Sequence, residues 1–355
     1  MTPADHAKVD TFMGKLFEDY TGAAMMWMCS IGDRLGLFKD LDTNGPATSA
    51  ELATRARIQE RYAREWLSAL ACGGYLHYDS ASRQFSLPAE HAPALAHEGG
   101  PMFLGGALQA FPGYGKVFEQ LTEAFQRGGG VPFEAYDENN WEGMERLSAA
   151  WFQHLLIPQW LPVVPDVQRR LEQGILVADL GCGRGRALIE LARAFPNSRY
   201  VGYDAFGPNV ARASSTAEAA GVTDRVSFRR QVITDELPEQ YDVITTFDVV
   251  HDAADPLALV SAIRRGLRPD GTYLCLEVNC AETLEENAAS PLGAAWYSNS
   301  VLYCLTTSLA QGGVGLGACG LPEGKLRELC LAAGFSSVRR LPIDNPFNTL
   351  YEIKP

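Results

Sequence analysis

Apolar residues recur at helical spacing over residues 25–41, with Gly36 near the end of the run. Thr48-Ser49-Ala50-Glu51 then predicts a helix start, because Thr48 can cap a helix whose third residue, Glu51, reaches back to it. Another helix is predicted over residues 59–71, stopped by Gly73-Gly74. Two short strand-like runs, 75–78 and 84–87, flank the turn-rich Asp79-Ser80-Ala81-Ser82. Helix, helix, then a two-stranded wing is the pattern of a winged helix, and it occupies residues 1–98. Residues 99–172 read as a helical connector interrupted by Gly128-Gly129-Gly130-Val131-Pro132. Its aromatics Trp141, Trp151, Phe152 and Trp160 either line a pocket or pack helix against helix.

From residue 173 the pattern changes. Strands are predicted over 175–178, 200–203, 226–228, 241–247 and 272–278, with helices over 187–194 and 257–267 between them. This alternation predicts an α/β fold, a doubly wound parallel sheet with helices on both faces, over residues 173–355. Two last strands, 338–343 and 349–353, are expected to form a hairpin around Asp344-Asn345-Pro346. Between Cys280 and Leu321 lie Trp296, Tyr297, Tyr303 and a glycine-rich run from Gly312 to Gly317. That stretch reads as a substrate-covering lid or as a long surface loop.

Composition narrows the classes. Of 355 residues, 46% are apolar, which suits a globular protein. No apolar run spans a bilayer, and the first residues lack the basic-then-apolar order of a signal peptide, so a cytoplasmic protein without membrane contact is expected. Cysteines at 29, 72, 182, 275, 280, 304, 319 and 330 form no CxxC pair, so reduced thiols are expected rather than a disulfide framework. No cluster of Cys and His has zinc-site spacing in the sequence, and no metal is expected. The net charge of −13 disfavours nucleic-acid binding. Residues 1–90 carry nine basic and twelve acidic side chains, and Glu60 and Glu65 offset Arg61 and Arg64 on the would-be recognition helix.

The densest chemistry lies in Val177-Ala178-Asp179-Leu180-Gly181-Cys182-Gly183-Arg184-Gly185. A buried strand runs into a glycine turn and then a helix, and ligands bind open parallel sheets at that edge. A dinucleotide site would place glycines as G-x-G-x-x-G, but position 186 is Arg. Asp179 at the mouth of the turn repels a pyrophosphate and suits a ligand with an ammonium group. Asp204, ending the next strand, can accept hydrogen bonds from two ribose hydroxyls.

These residues carry a resemblance. VADLGCGRG, VGYDAF, YDVITTFDVVHD and LRPDGTYLCLE resemble class I S-adenosylmethionine-dependent methyltransferases, whose domain is Rossmann-like. With the winged helix, GGGVPFEAY, YSNSVLYCLTTSLAQGGVGLGACG and NPFNTLYEIKP, nearly the whole chain looks like the actinobacterial winged-helix methyltransferases, related to small-molecule O-methyltransferases. The resemblance implies S-adenosylmethionine as cofactor, S-adenosylhomocysteine as product, and a small-molecule acceptor. It implies a homodimer built through the N-terminal domain, a role that apolar Met25-Met26-Trp27-Met28 suits as well as core packing does. It places Asp179, Gly181 and Gly183 at the methionine end and Asp204 at the ribose, with Cys182 and Ala205 as further cofactor-binding candidates. Phe206 and Phe247 would flank the adenine, and Asp248 is a further cofactor-binding candidate. Many such enzymes carry an acid after the third strand. Here Gln231-Val232 stands in its place, and Gln231 or a backbone group near Val232 and Ile233 would substitute.

His251, in Asp248-Val249-Val250-His251-Asp252, is the candidate general base, since an imidazole titrates near neutrality. The other reading is a helix-capping or packing histidine. Asp252 and Glu277 are further catalytic candidates, Asp252 as an orienting acid and Glu277 as a strand-end acid within reach. Two rival functions stand beside O-methylation: a ligand-sensing winged-helix transcriptional regulator, and a methyltransferase fold that binds cofactor without transferring methyl.

Overall fold

The computed structural model describes residues 5–232, 234 and 236–355. The chain divides into two compact units, one of residues 1–116 and 137–150, the other of residues 117–136 and 151–355. The helices between 99 and 172 are thus shared between them.

The first unit opens with α1 (His6–Arg34), capped by Asp5, whose carboxylate accepts the Ala7 N–H. The helical run expected over 25–41 is two helices. Gly36 takes φ +67°, a left-handed conformation that ends α1 and lets the chain turn into α2 (Leu37–Asn44). The periodicity continues across the break because Cys29, Leu37, Phe38 and Leu41 are all buried in the same core. Thr48 and Glu51 form the expected capping box at α3 (Ser49–Ala56). In α4 (Glu60–Cys72), Ala63, Trp66, Leu67 and Leu70 make the buried face, and the Trp66 indole donates to the Met28 carbonyl at 2.8 Å. Strands β1 (His77–Asp79) and β2 (Gln84–Ser86) pair antiparallel as the wing. The short α5 (Ala92–Leu95) and α6 (Gly105–Lys116) follow.

The second unit begins with α7 (Phe118–Arg127), after which the chain returns to the first unit for most of α8 (Glu138–Trp151). A π-helical segment (Phe152–Trp160) and α9 (Pro165–Gln173) lead into the sheet. Its strands and helices are β3 (Leu176–Leu180), α10 (Arg186–Ala194), β4 (Arg199–Asp204), α11 (Gly207–Ala219), β5 (Val226–Arg230), β6 (Tyr241–Phe247), α12 (Pro256–Gly266) and β7 (Leu267–Val278). Three short helices, α13 (Leu284–Ala289), α14 (Gly293–Asn299) and α15 (Leu305–Ala310), precede α16 (Glu323–Ala332), β8 (Ser337–Arg340) and β9 (Asn348–Lys354). Among the described residues the sheet has seven strands in the order β5-β4-β3-β6-β7-β9-β8. The first five run parallel, and β9 pairs antiparallel with both β7 and β8.

Both faces are covered, which explains the unbroken apolar strands. Ala178 and Leu180 face a core shared with α12 and α16, while Val177 faces one shared with α9 and α10. The order reverses at β3, so the loops after β3, β4 and β6 surround one crevice at the carboxyl edge.

The stretch from 280 to 321 is not the loose cover its glycines suggest. Residues 284–310 are largely helical, with a π-helical turn at Ser300–Cys304. The glycine run is pinned: Val314 N–H donates to the Ala254 carbonyl at 3.0 Å and Gly315 N–H to the Ser308 hydroxyl at 3.2 Å. Gly313 sits where a Cβ would come 2.4 Å from the Ala254 Cα, so glycine serves close backbone approach here rather than flexibility. No helix among the described residues is long and apolar enough to cross a membrane.

Candidate active site

The turn after β3 is built by glycine. Gly181, Gly183 and Gly185 have φ of +72°, +52° and +78°. At Gly181 a Cβ would come 2.7 Å from Val249 Cγ2, and at Gly185 it would come 2.4 Å from Phe228. At Gly183 a Cβ would meet nothing within 4 Å, so the turn is open at its tip. The Gly181 and Cys182 N–H groups both donate to the Tyr203 carbonyl, tying the turn to the end of β4.

Asp204 closes the crevice on that side. One carboxylate oxygen accepts Gly183 N–H at 2.9 Å and the other accepts Phe206 N–H at 2.8 Å. Burial raises its carboxyl above the usual range, and those two donors oppose the shift. Asp179 is 2% exposed and accepts the Thr245 hydroxyl at 2.7 Å. Burial pushes its carboxyl up to about 7, Thr245 opposes that, and the nearby Asp204 adds to it. A buried carboxyl with another acid as its charged neighbour is short of a cation. An open glycine tip, a cation-seeking acid and a second acid with spare lone pairs fit the ammonium and ribose groups of S-adenosylmethionine. Asp179, Gly181, Cys182, Gly183 and Asp204 therefore come together.

The adenine side is less complete. Phe206 follows Asp204 and meets Phe133 edge-on at 4.7 Å. Phe133 lies in a short 3-10 turn (Phe133–Ala135), and Tyr303 packs on both it and Tyr136. Val131 N–H donates to Thr306 at 2.8 Å, so residues 131–136 lie along the helices that precede and include α15. The Ala205 carbonyl accepts from Arg230 at 3.2 Å. Gln231 N–H donates to the Asp204 carbonyl at 3.0 Å, and Val232 is exposed. Ile233 lies outside the described residues. Phe247 meets Phe152 edge-on at 5.0 Å and stacks with Trp160.

Across the crevice, Asp248 follows β6 at φ +56° and receives both hydrogen bonds of the Asn348 amide, at 2.7 and 3.0 Å. Burial pushes its carboxyl up to about 7, and Glu277 adds to that. His251 is 3% exposed. Its Nδ1 lies 2.5 Å from Glu277 Oε2, and Glu277 Oε1 accepts Val250 N–H at 2.7 Å. Nε2 lies 3.2 Å from Asp252 Oδ1. Burial alone would lower the basicity of this imidazole, but Asp252 and Glu277 raise it well above the usual histidine range. His251, Asp252 and Glu277 are thus one cluster, and Glu277 holds the ring by the nitrogen that faces away from Asp252.

An aromatic group completes the unit. Trp151 stacks on Phe347 at 5.9 Å, and Trp296 meets Phe347 edge-on at 6.1 Å. Trp296 Nε1 and Asn348 Oδ1 are buried without a hydrogen-bond partner among the described residues. Thr245, Asn348 and Phe133 were not among the sequence candidates. Their segments, YDVITTF, NPFNTLYEIKP and GGGVPFEAY, were part of the resemblance, but nothing local marks which residue turns inward. Trp141 lies on the α8 residues of the first unit, whereas Trp151, Phe152 and Trp160 belong to the second.

Comparison with known proteins fits this geometry. Residues 23–97 match the Rv2258c-like winged HTH domain, and residues 171–326 match a methyltransferase domain. The ubiquinone biosynthesis O-methyltransferase of Cereibacter sphaeroides (strain ATCC 17025 / ATH 2.4.3) is 33% identical over 126 residues, 35% of this chain and 49% of that protein. The chain spans about half the length of the first curated relatives it matches. Among solved structures, the mitomycin 7-O-methyltransferase MmcR superposes with a TM-score of 0.72 at 19% identity, covering 99% of each chain. Human N-acetylserotonin methyltransferase, solved in complex with S-adenosylmethionine, superposes with a TM-score of 0.69 at 18% identity, covering 100% of this chain and 99% of that one. The chain thus shares the fold of these methyltransferases over nearly its whole length, with matches to a winged HTH domain and a methyltransferase domain in its two parts.

Proposed function

We propose that this protein transfers the methyl group of S-adenosylmethionine to a hydroxyl of a small aromatic acceptor, with His251 taking the proton. The observation that carries this reading is the His251–Glu277 contact at the sheet edge that also holds Asp179 and Asp204. When bound, the sulfonium supplies an activated methyl group. The chain then has to align donor and acceptor and to remove a proton. A phenol titrates at about 10 and stays protonated near neutrality. Glu277 fixes the ring through Nδ1, which leaves Nε2 as the nitrogen that meets the acceptor. The positive charge formed on the ring is stabilised by Glu277 and Asp252 together. Trp151, Phe347 and Trp296 supply flat apolar area for a ring, and the Trp296 indole N–H offers it a donor.

Calorimetry with S-adenosylhomocysteine tests the cofactor half, and mass spectrometry of phenols incubated with S-adenosylmethionine tests the transfer. Stoichiometric binding and a one-methyl mass gain are expected. A folded protein that gives no heat with S-adenosylhomocysteine overturns the reading.

The same reading extends to a homodimer through the first unit. α1 buries only Cys29, Ser30 and Gly32, while Val9, Phe12, Met13, Leu16, Phe17 and Tyr20 are exposed along its first half. Their spacing makes one apolar stripe, which a soluble monomer does not keep in water. Leu16→Glu with Phe17→Glu should convert a dimer to a monomer in sedimentation equilibrium. A monomeric wild-type protein would refute this part alone.

A further inference from the structure

His251 turns its second ring nitrogen toward Asp252 and Cys304. Asp252 Oδ1 lies 3.2 Å from Nε2, yet among the described residues this buried oxygen receives no directed hydrogen bond. Cys304, the last residue of the π-helical turn Ser300–Cys304, brings its thiol to both His251 and Asp252. One imidazole nitrogen, one carboxylate oxygen and one sulfur therefore lie within 4.8 Å of one another. His251 is buried, and Asp252 and Cys304 are partly exposed.

Zinc ligands sit about 2.0–2.2 Å (N, O) and 2.3 Å (S) from the metal, which spaces tetrahedral neighbours roughly 3.3–3.6 Å apart. The 3.2 Å separation of Nε2 and Oδ1 matches one such edge. Behind the ring, Glu277 Oε2 lies 2.5 Å from Nδ1, and Glu277 is itself held by the Val249 and Val250 N–H groups. A carboxylate bonded to the far nitrogen of a histidine fixes its tautomer and strengthens it as a ligand. Asp248, also close to His251 and Glu277, is occupied by Asn348 and is not needed. Mixed nitrogen, oxygen and sulfur donors select zinc over magnesium or calcium.

We propose that His251, Asp252 and Cys304 form an inhibitory Zn²⁺ site with its fourth position open. Asp252 and Glu277 hold the ring protonated near neutrality, so on binding both the thiol proton and the Nε2 proton leave to solvent, and the metal takes the Nε2 lone pair that the acceptor's proton would otherwise use. Metal-bound and proton-accepting states are then mutually exclusive. The metal site stands on its own geometry, and its inhibitory effect rests on the reading of His251 as the base.

The test uses full-length, chelator-stripped protein without cofactor. Zn²⁺ is titrated against a chromophoric chelator, and Co²⁺ serves as an optical probe of the same site. One Zn²⁺ per chain and a thiolate-to-cobalt charge-transfer band in the near ultraviolet are expected. Cys304→Ser should weaken zinc by about 100-fold and abolish the band, and Asp252→Asn should weaken zinc while keeping the band. Cys72→Ser, at an exposed thiol outside the cluster, should change neither. Absence of the band in wild type, or equal zinc affinity in Cys304→Ser, overturns the proposal. Calorimetry with S-adenosylhomocysteine on the same samples separates the two readings. Zinc binding without cofactor binding keeps the metal site but removes its inhibitory role together with the methyltransferase reading, and cofactor binding without zinc binding removes the metal site alone.

Discussion

His251→Ala lowers turnover by about 10²–10⁴-fold and leaves the affinity for S-adenosylhomocysteine within about twofold. The size follows from the role. A positioned base contributes that much when the acceptor is protonated at working pH, and the alignment of donor and acceptor survives its loss. The selectivity follows from the place. His251 sits after β6, and its contacts are Glu277, Asp252 and Cys304, none of them part of the glycine turn. Glu277→Gln is the companion variant. It keeps the volume and one carbonyl oxygen for the Val250 N–H but loses the charge behind Nδ1. A charged hydrogen bond is worth about 1.5–3 kcal/mol, so kcat should fall roughly 10–100-fold with the cofactor affinity again unchanged. That split identifies Glu277 as a positioning residue. Equal loss of turnover and cofactor affinity in His251→Ala would sink the base assignment. So would an unchanged rate, which would leave His251 as a packed ring at the start of a turn.

What the sequence made legible tracks how local each feature is. Asp179, the glycine turn and Asp204 are set by a strand, a turn and the next strand. Pattern and residue type locate them before any long-range contact forms. His251 is legible for the same reason, four residues beyond a strand end. Its partners are less so: Glu277 lies 26 residues on, and only the register of β6 against β7 brings it to the ring. Asn348 is 100 residues from the Asp248 it binds, and Val131 is 175 from Thr306. Pairings of that kind depend on how elements pack, and no periodicity encodes them. Two misreadings have the same origin. Periodicity ran through Gly36 because helices on both sides of the break bury their residues in one core. The glycine run at 312–317 read as loose, but its missing side chains let the backbone lie against Ala254 and Ser308.

Asp204→Ala should weaken S-adenosylhomocysteine binding by about 10²–10⁴-fold, the loss of two charged hydrogen bonds to the ribose at about 1.5–3 kcal/mol each. It also removes the acceptor that holds Gly183 N–H and Phe206 N–H, so the turn loosens as the ligand contact goes. Asp179 gives the same site a pH dependence. Burial pushes its carboxyl from 3.8 up to about 7 in the free protein, and the ammonium of the ligand needs the ionised form. Below about 7 each bound ligand must therefore expel a proton. Affinity should rise up to tenfold per pH unit on that limb and level off above it. On the alkaline side it should fall again as the ligand's amino group, titrating at about 8, loses its charge. The effect on stability has the opposite sense. A carboxyl whose folded pKa is raised binds its proton more tightly when folded, so its contribution is full below 3.8 and is lost as pH rises toward 7. The free protein should lose melting temperature across that window, and S-adenosylhomocysteine should restore it most at the upper end. Asp179→Asn removes the acid limb of the affinity profile while retaining the Thr245 contact. Calorimetry in two buffers of different ionisation enthalpy reads the released proton directly. A wild-type affinity flat between pH 5 and 8, with no proton released, would mean that Asp179 does not face the ligand's ammonium group.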